Sequence, residues 1–171
     1  MPELPEVEVV KQSLDKKIKF QKITKVLVRN RNLRFTVPKN IKLFLKNKII
    51  KKISRKSKYL IFHLHDSSFL IIHLGMSGTM HLVDNKIYEN TNVSFYGPAS
   101  LPIKHNHIVI FLKKYQLIYN DPRRFGFIKI LKNEKIFEFF FKKIGPEPIN
   151  KKFSKNYIYK YLKGKKVLLV D

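Results

Sequence analysis

A chain of 171 residues has room for one sizeable domain, or for one domain and a fragment of another, and its 44% hydrophobic content with 14 Phe supplies a real core. No apolar run reaches the roughly 18 residues of a membrane span, and no basic segment followed by an apolar stretch opens the chain as in a secretory signal. Zero cysteines exclude disulfides and thiolate metal sites within these residues, so a soluble cytoplasmic protein is the expectation.

The formal charge is +24, from 36 basic against 12 acidic residues. Lysine supplies 30 of the 36 basic residues, and Asn, Ile and Phe are also frequent, a bias that AT-rich codons impose. Even so, this balance favours a polyanionic partner, since counterion release drives such binding. Nucleic acid ranks ahead of a membrane surface, because no basic amphipathic anchor helix stands out.

The spacing predicts a first helix over Pro5–Ile18. Val7, Val10, Leu14 and Ile18 recur at three- and four-residue steps on one face. Glu3, Glu6 and Glu8 at its start and Lys16, Lys17 and Lys19 at its end match the helix dipole. Pro2 and Glu3 therefore stand just before a helix N-terminus, on a fixed platform. Removal of Met1 would expose the secondary amine of Pro2 beside a carboxylate. A terminal amine titrates near about 8, against about 10.4 for lysine, so far more of it is free base at neutral pH. That pair is equipped for covalent attack on a carbonyl-like carbon, and a proline iminium is a cationic electron sink. The same prolines also read as a plain helix start.

From Ile23 the texture changes to short β-branched and aromatic runs. Strands are predicted at Ile23–Arg29, Leu33–Val37, Ile49–Ile53, Tyr59–His65 and Phe69–Leu74, with Asp66-Ser67-Ser68 as a hairpin turn. More follow at Met80–Val83, His107–Leu112, Gln116–Tyr119 and Phe127–Leu131. Asp84–Leu101 reads as a long mobile loop. Lys135–Lys143 and Lys155–Leu162 read as helices. The pattern predicts a β-sandwich or barrel flanked by helices.

Three interior stretches carry candidate chemistry. Lys58, at the start of a strand after a basic cluster, reads as a phosphate clamp or a proton donor, or else as a solvated edge lysine. Met76, bracketed by Gly75 and Gly78, reads as a wedge into a base stack or as a core plug. Asp121-Pro122-Arg123-Arg124-Phe125-Gly126 concentrates a third of the arginines at one turn. It offers guanidinium hydrogen bonds beside a stacking face, or a tight turn with Asp121 and Arg124 paired.

The opening PELPEVE, then RKSKYL, HLGMSG, KHNH (104–107), DPRRFG and GPEP (145–148) occur in the order of one family. The chain resembles the N-terminal catalytic domain of bacterial formamidopyrimidine-DNA glycosylase, also called 8-oxoguanine-DNA glycosylase. The related endonuclease VIII branch typically opens PEGPE, whereas Leu4 stands here in place of that glycine. The resemblance implies an α+β fold, an antiparallel β-sandwich flanked by helices with the reactive terminus on the first helix.

It also implies a role for each matching residue. Pro2 is the expected nucleophile at C1′ of the damaged nucleotide, and Glu3 the general acid and base. Lys58 is expected to hold the adjacent phosphate and assist proton transfer. Met76, Arg123 and Phe125 fill the gap left by the flipped-out nucleotide. His105 and Arg123 contact DNA, as does Lys166 on a weaker alignment. The expected partner is damaged double-stranded DNA, bound by a monomer in the cytoplasm at the nucleoid, with removal of oxidised purines, β-elimination and no cofactor in this chain.

The chain ends at Asp171, before the helix–two-turn–helix and the four-cysteine zinc finger of the family. Residues 1–150 are thus expected to form the catalytic domain, and 151–171 a truncated helical linker towards a missing DNA-binding half. Affinity, lesion selectivity and a second elimination would depend on that half. A weak or inactive DNA-binding remnant of the enzyme is the alternative, and a basic RNA-binding protein a third, though charge alone does not require PELPEVE or DPRRFG.

Overall fold

The computed structural model describes residues 2–87, 89–95, 103–147, 150–151 and 153–164. Helix α1 (Leu4–Ile18) leads into β1 (Ile23–Val28), a short α2 (Ile41–Leu45), β2 (Ile50–Lys56), β3 (Tyr59–Leu64), β4 (Phe69–His73), β5 (Thr79–Asp84) and β6 (Asn90–Asn92). A 3-10 turn (Ile103–His105) then precedes β7 (Asn106–Leu112), β8 (Tyr115–Asn120), β9 (Phe127–Leu131), α3 (Glu134–Phe141) and α4 (Lys155–Leu162).

The strands form two antiparallel sheets, in the order β1-β7-β8-β5-β6 and β2-β3-β4-β9. The fold is α+β, a sandwich flanked by helices. One core fills the space between the sheets and takes in α1 through Val7, Val10, Leu14 and Ile18, all fully buried. Each such aliphatic contributes about 1.5–3 kcal/mol relative to exposure, so this stripe, not propensity, fixes α1. Asp15 strengthens the seam by accepting the Ile53 amide at 2.6 Å.

A second cluster packs α3 on the other face of the four-stranded sheet, joining Ile61, Phe69, Ile71 and Leu131 to Phe141. Strands β3 and β4 are therefore covered on both faces, which explains their unbroken apolar runs. No helix among the described residues is long and apolar enough to cross a membrane.

Most expected elements recur within a residue or two, and Phe127–Leu131 and Lys155–Leu162 match at both ends. The strand expected at Leu33–Val37 does not form. There the Arg31 guanidinium donates to the Val37 and Pro38 carbonyls, and the Val37 amide donates to the Arg31 carbonyl. The segment closes into a loop that plugs the core with Val37, and Pro38 offers no amide to continue a ladder. Helix α2 leaves no mark in the sequence, because five residues are too few to show a period. The expected loop Asp84–Leu101 contains β6, which pairs with β5, while residues 96–101 lie outside the described part.

Candidate active site and nucleic-acid interface

Cross-strand register brings the candidate segments to one edge. Tyr59 pairs with His73, and His73 with Phe127, so β3, β4 and β9 lie side by side at matching ends. Lys58 sits directly before β3, Gly75 and Met76 follow β4, and Phe125 and Gly126 precede β9. Asn106 pairs with Asn120 in the other sheet, which sets His105 next to Asp121, whose amide donates to the His105 carbonyl at 3.1 Å.

The chain terminus reaches the same edge through a charge pair. Lys58 Nζ lies 2.8 Å from a Glu3 carboxylate oxygen. Glu3 stands at the N-cap of α1, where its amide donates to the Glu6 carboxylate at 2.9 Å, and Pro2 beside it is buried. Lys58 itself is the second residue of a two-residue turn between β2 and β3, after Ser57 at φ +51.

Arg55 holds this corner together. Its side chain is 8% exposed and donates to Glu8 of α1 at 2.7 Å and to Glu147 at 2.9 Å. Glu147 also accepts the Ser57 amide at 2.5 Å, so one carboxylate grips the turn that presents Lys58. Burial works against charge at Glu8, but hydrogen bonds from Lys11, Arg55 and Gln12 outweigh it and hold the carboxyl at about 2. Glu147 is likewise lowered, against burial, by the Ser57 amide and Arg55.

Two loops stand beside this corner. Met76 and Phe125 are 41% and 43% exposed at their tips, and the Arg123 guanidinium lies 4.6 Å from the Phe125 ring centre. They border a cavity of about 770 Å³ that also takes in Asn32, Arg34 and His73. Met76 is therefore not a core plug, and apolar tips next to guanidinium groups suit stacked bases and phosphates. The loop that replaced the expected strand joins the site, since the Arg34 amide donates to the Gly126 carbonyl at 3.1 Å.

His73 stacks on Phe127 with ring centres 5.3 Å apart, and its Nδ1 accepts the Gly75 amide at 3.0 Å. Burial, with the positive charges of Arg34 and Lys58, pushes its pKa down. Sequence reasoning did not single out His73, Arg34, Arg55 or Glu147 as site residues. His73, Arg55 and Glu147 lie inside the quoted motifs, which was the available signal. Lys166 lies outside the described residues.

Comparison with known proteins decides the family. The model of the formamidopyrimidine-DNA glycosylase N-terminal domain matches residues 1–128. The chain belongs to this family. It is 42% identical to the formamidopyrimidine-DNA glycosylase of Wolbachia pipientis subsp. Culex pipiens (strain wPip) over 167 residues, 97% of this chain and 56% of that protein. The corresponding glycosylase of Bartonella quintana (strain Toulouse) is 37% identical over 175 residues, 99% of this chain and 58% of the relative. The Lactococcus lactis Fpg bound to DNA containing an abasic site superposes with a TM-score of 0.77 at 34% identity, over 94% of this chain and 56% of that one. The chain thus spans little more than half the length of these formamidopyrimidine-DNA glycosylases.

Proposed function

We propose that the chain is the catalytic domain of a DNA base-excision repair glycosylase that removes oxidised purines and cleaves the resulting abasic site. The observation that carries this reading is the meeting of Lys58 and Glu3 at 2.8 Å, beside Pro2, on the edge that also bears Met76, Arg123 and Phe125.

With Met1 removed, the Pro2 nitrogen attacks C1′ of the damaged nucleotide, and the C1′–base bond breaks with its electron pair leaving on the base, which takes up the proton the Pro2 nitrogen loses. Glu3 protonates the sugar ring oxygen, which opens the ring and leaves a Pro2 iminium at C1′. The iminium acidifies the C2′ proton. Its removal sends the electron pair into a C2′–C3′ double bond and expels the 3′ phosphate. Lys58 holds the phosphate beside the lesion, and its exchange with Glu3 moves protons between steps. Met76 and Phe125 stack where the nucleotide left the duplex, offsetting part of the few kcal/mol that flipping costs. Arg123 and His105 hold the flanking DNA.

Duplex DNA containing 8-oxoguanine, or an abasic site, is incubated with the chain and borohydride. A covalent protein–DNA adduct on both is the expected result. No adduct even on abasic DNA overturns the enzyme reading for this chain and leaves a DNA-binding protein.

A further inference from the structure

The two loops that carry Met76 and Arg123–Phe125 lie far apart in sequence, with 44 residues from Ser77 to Asp121, yet they converge on one carboxylate. Asp121 is fully buried. Its Oδ1 accepts the Ser77 hydroxyl at 2.6 Å, and its Oδ2 accepts the Gly126 amide at 2.9 Å and the Tyr119 hydroxyl at 3.0 Å. The Ser77 oxygen in turn accepts the Arg123 amide at 3.2 Å. The main chain of Asp121 is fixed as well, since its carbonyl accepts His107 Nε2 at 2.7 Å and the Arg124 amide at 3.2 Å.

The loop backbones touch beneath these bonds. Gly75 has φ +68, and a Cβ there would lie 2.4 Å from the Gly126 nitrogen and 2.5 Å from the Phe125 carbonyl carbon. A Cβ on Gly126 would meet the Tyr119 hydroxyl at 1.9 Å and the His73 carbonyl at 2.4 Å. Neither loop can shift without the other. The alternative of an Asp121–Arg124 side-chain pair gives way to this arrangement, in which Arg124 donates its amide to the Asp121 carbonyl.

We infer that Ser77 and Asp121 are positioning residues that lock the two gap-filling loops into a single wedge, fixing the spacing of Met76 against Arg123 and Phe125. The inference rests on the proposed role of those three side chains in filling an emptied base site. Neither Ser77 nor Asp121 needs to touch DNA. Ser77 supplies a side-chain link that spans the loops, because its hydroxyl donates to Asp121 and accepts from Arg123 at once. Glu3 and Lys58 are held by other bonds, with Pro2 next to Glu3, so the chemistry on an already exposed sugar is independent of the latch.

The test compares Ser77→Thr with Ser77→Val, which share one shape and differ by the hydroxyl, together with Ser77→Ala. Two quantities are read for each. One is the preference for a duplex with a tetrahydrofuran gap over the intact duplex. The other is the borohydride trapping rate on a saturating single-stranded abasic oligonucleotide. Loss of the paired hydrogen bonds is expected to cut the gap preference about fivefold to tenfold in Val and Ala while Thr keeps it. Trapping on the single strand should stay within about twofold in all three, a split that general destabilisation would not produce. Equal gap preference in Val and Thr, or no gap preference in the unsubstituted chain, overturns the inference. An unsubstituted chain that prefers the gap but never traps would sink the glycosylase reading and leave the latch standing.

Discussion

The corner that carries the proposed reactive groups and the proposed wedge beside it are built on opposite principles. Glu3 and Lys58, beside the buried Pro2, are placed by charge pairs, several part exposed, with Arg55 drawing α1 and residue 147 towards one turn. The wedge of Met76, Arg123 and Phe125 is placed by a buried carboxylate and by glycine backbones in contact. Charges near solvent can exchange partners and protons at modest cost, which suits acid–base chemistry. Backbone contact and buried hydrogen bonds tolerate almost no displacement, which suits a rigid probe. The two regions should therefore fail in different ways.

The largest expected effect is on chemistry alone. Glu3→Gln removes the proposed acid and base while keeping the shape, and trapping on abasic DNA should fall by about 100-fold to 10,000-fold. Its melting temperature should match that of the unsubstituted chain, since the Glu3–Lys58 pair is part exposed. A trapping rate within a few-fold of normal would remove Glu3 from the mechanism.

On the wedge side the corresponding change is structural. Gly126→Ala forces a methyl against the Tyr119 hydroxyl and the His73 backbone, and should cost about 1–3 kcal/mol in denaturant unfolding. An unchanged midpoint would mean that the loops are not in close contact.

Arg55→Ala tests whether the charge corner also bears load. It leaves Glu8 and Glu147 facing each other without the shared guanidinium, and about 1–2 kcal/mol is expected, discounted because both carboxylates are part exposed. Trapping should slow by more than DNA binding weakens, since the Lys58 turn loses its grip. Equal losses in both would assign Arg55 to general stability.

The smallest effect is a graded dependence on pH. Burial lowers His63 and His81 to about 4, with Lys52 adding to the shift at His63, and burial also lowers His73. A base with a lowered folded pKa binds protons first in the unfolded chain. The stability it adds is present above its ordinary 6.5 and is lost as pH falls towards about 4. Glu8, held at about 2, contributes stability that is present above its ordinary 4.5 and lost only as pH falls towards about 2. Melting temperatures should thus decline from about pH 6.5 downwards. Arg55→Ala should show a shallower decline below pH 4.5 and an unaltered one above it.

The same contrast governs what could be read from the sequence. The α1 stripe and strands such as Phe127–Leu131 are written as local periodicity. Pro2, Glu3, Lys58, Met76, Arg123 and Phe125 stand out as candidates in the sequence because each lies in a short ordered motif. Their supports lie in the same motifs, but the pairings that make them supports do not show there. Ser77 meets Asp121 across 44 residues, and Ser57 meets Glu147 across 90, and no local pattern encodes which distant partner a serine or glutamate will find. Leu33–Val37 failed for a related reason, since the Arg31 guanidinium offered its carbonyls partners that β-propensity does not count.

The central claim is that the terminal nitrogen of Pro2 does the chemistry at the corner built by Glu3 and Lys58. Peptide mapping of the borohydride-trapped adduct on abasic DNA tests it most directly. The account predicts that Met1 is absent and that the sugar is linked to the Pro2 nitrogen, with Pro2→Gly retaining a terminal amine but trapping more slowly. A link found on Lys58 or on any other lysine, with Pro2 unmodified, would contradict it.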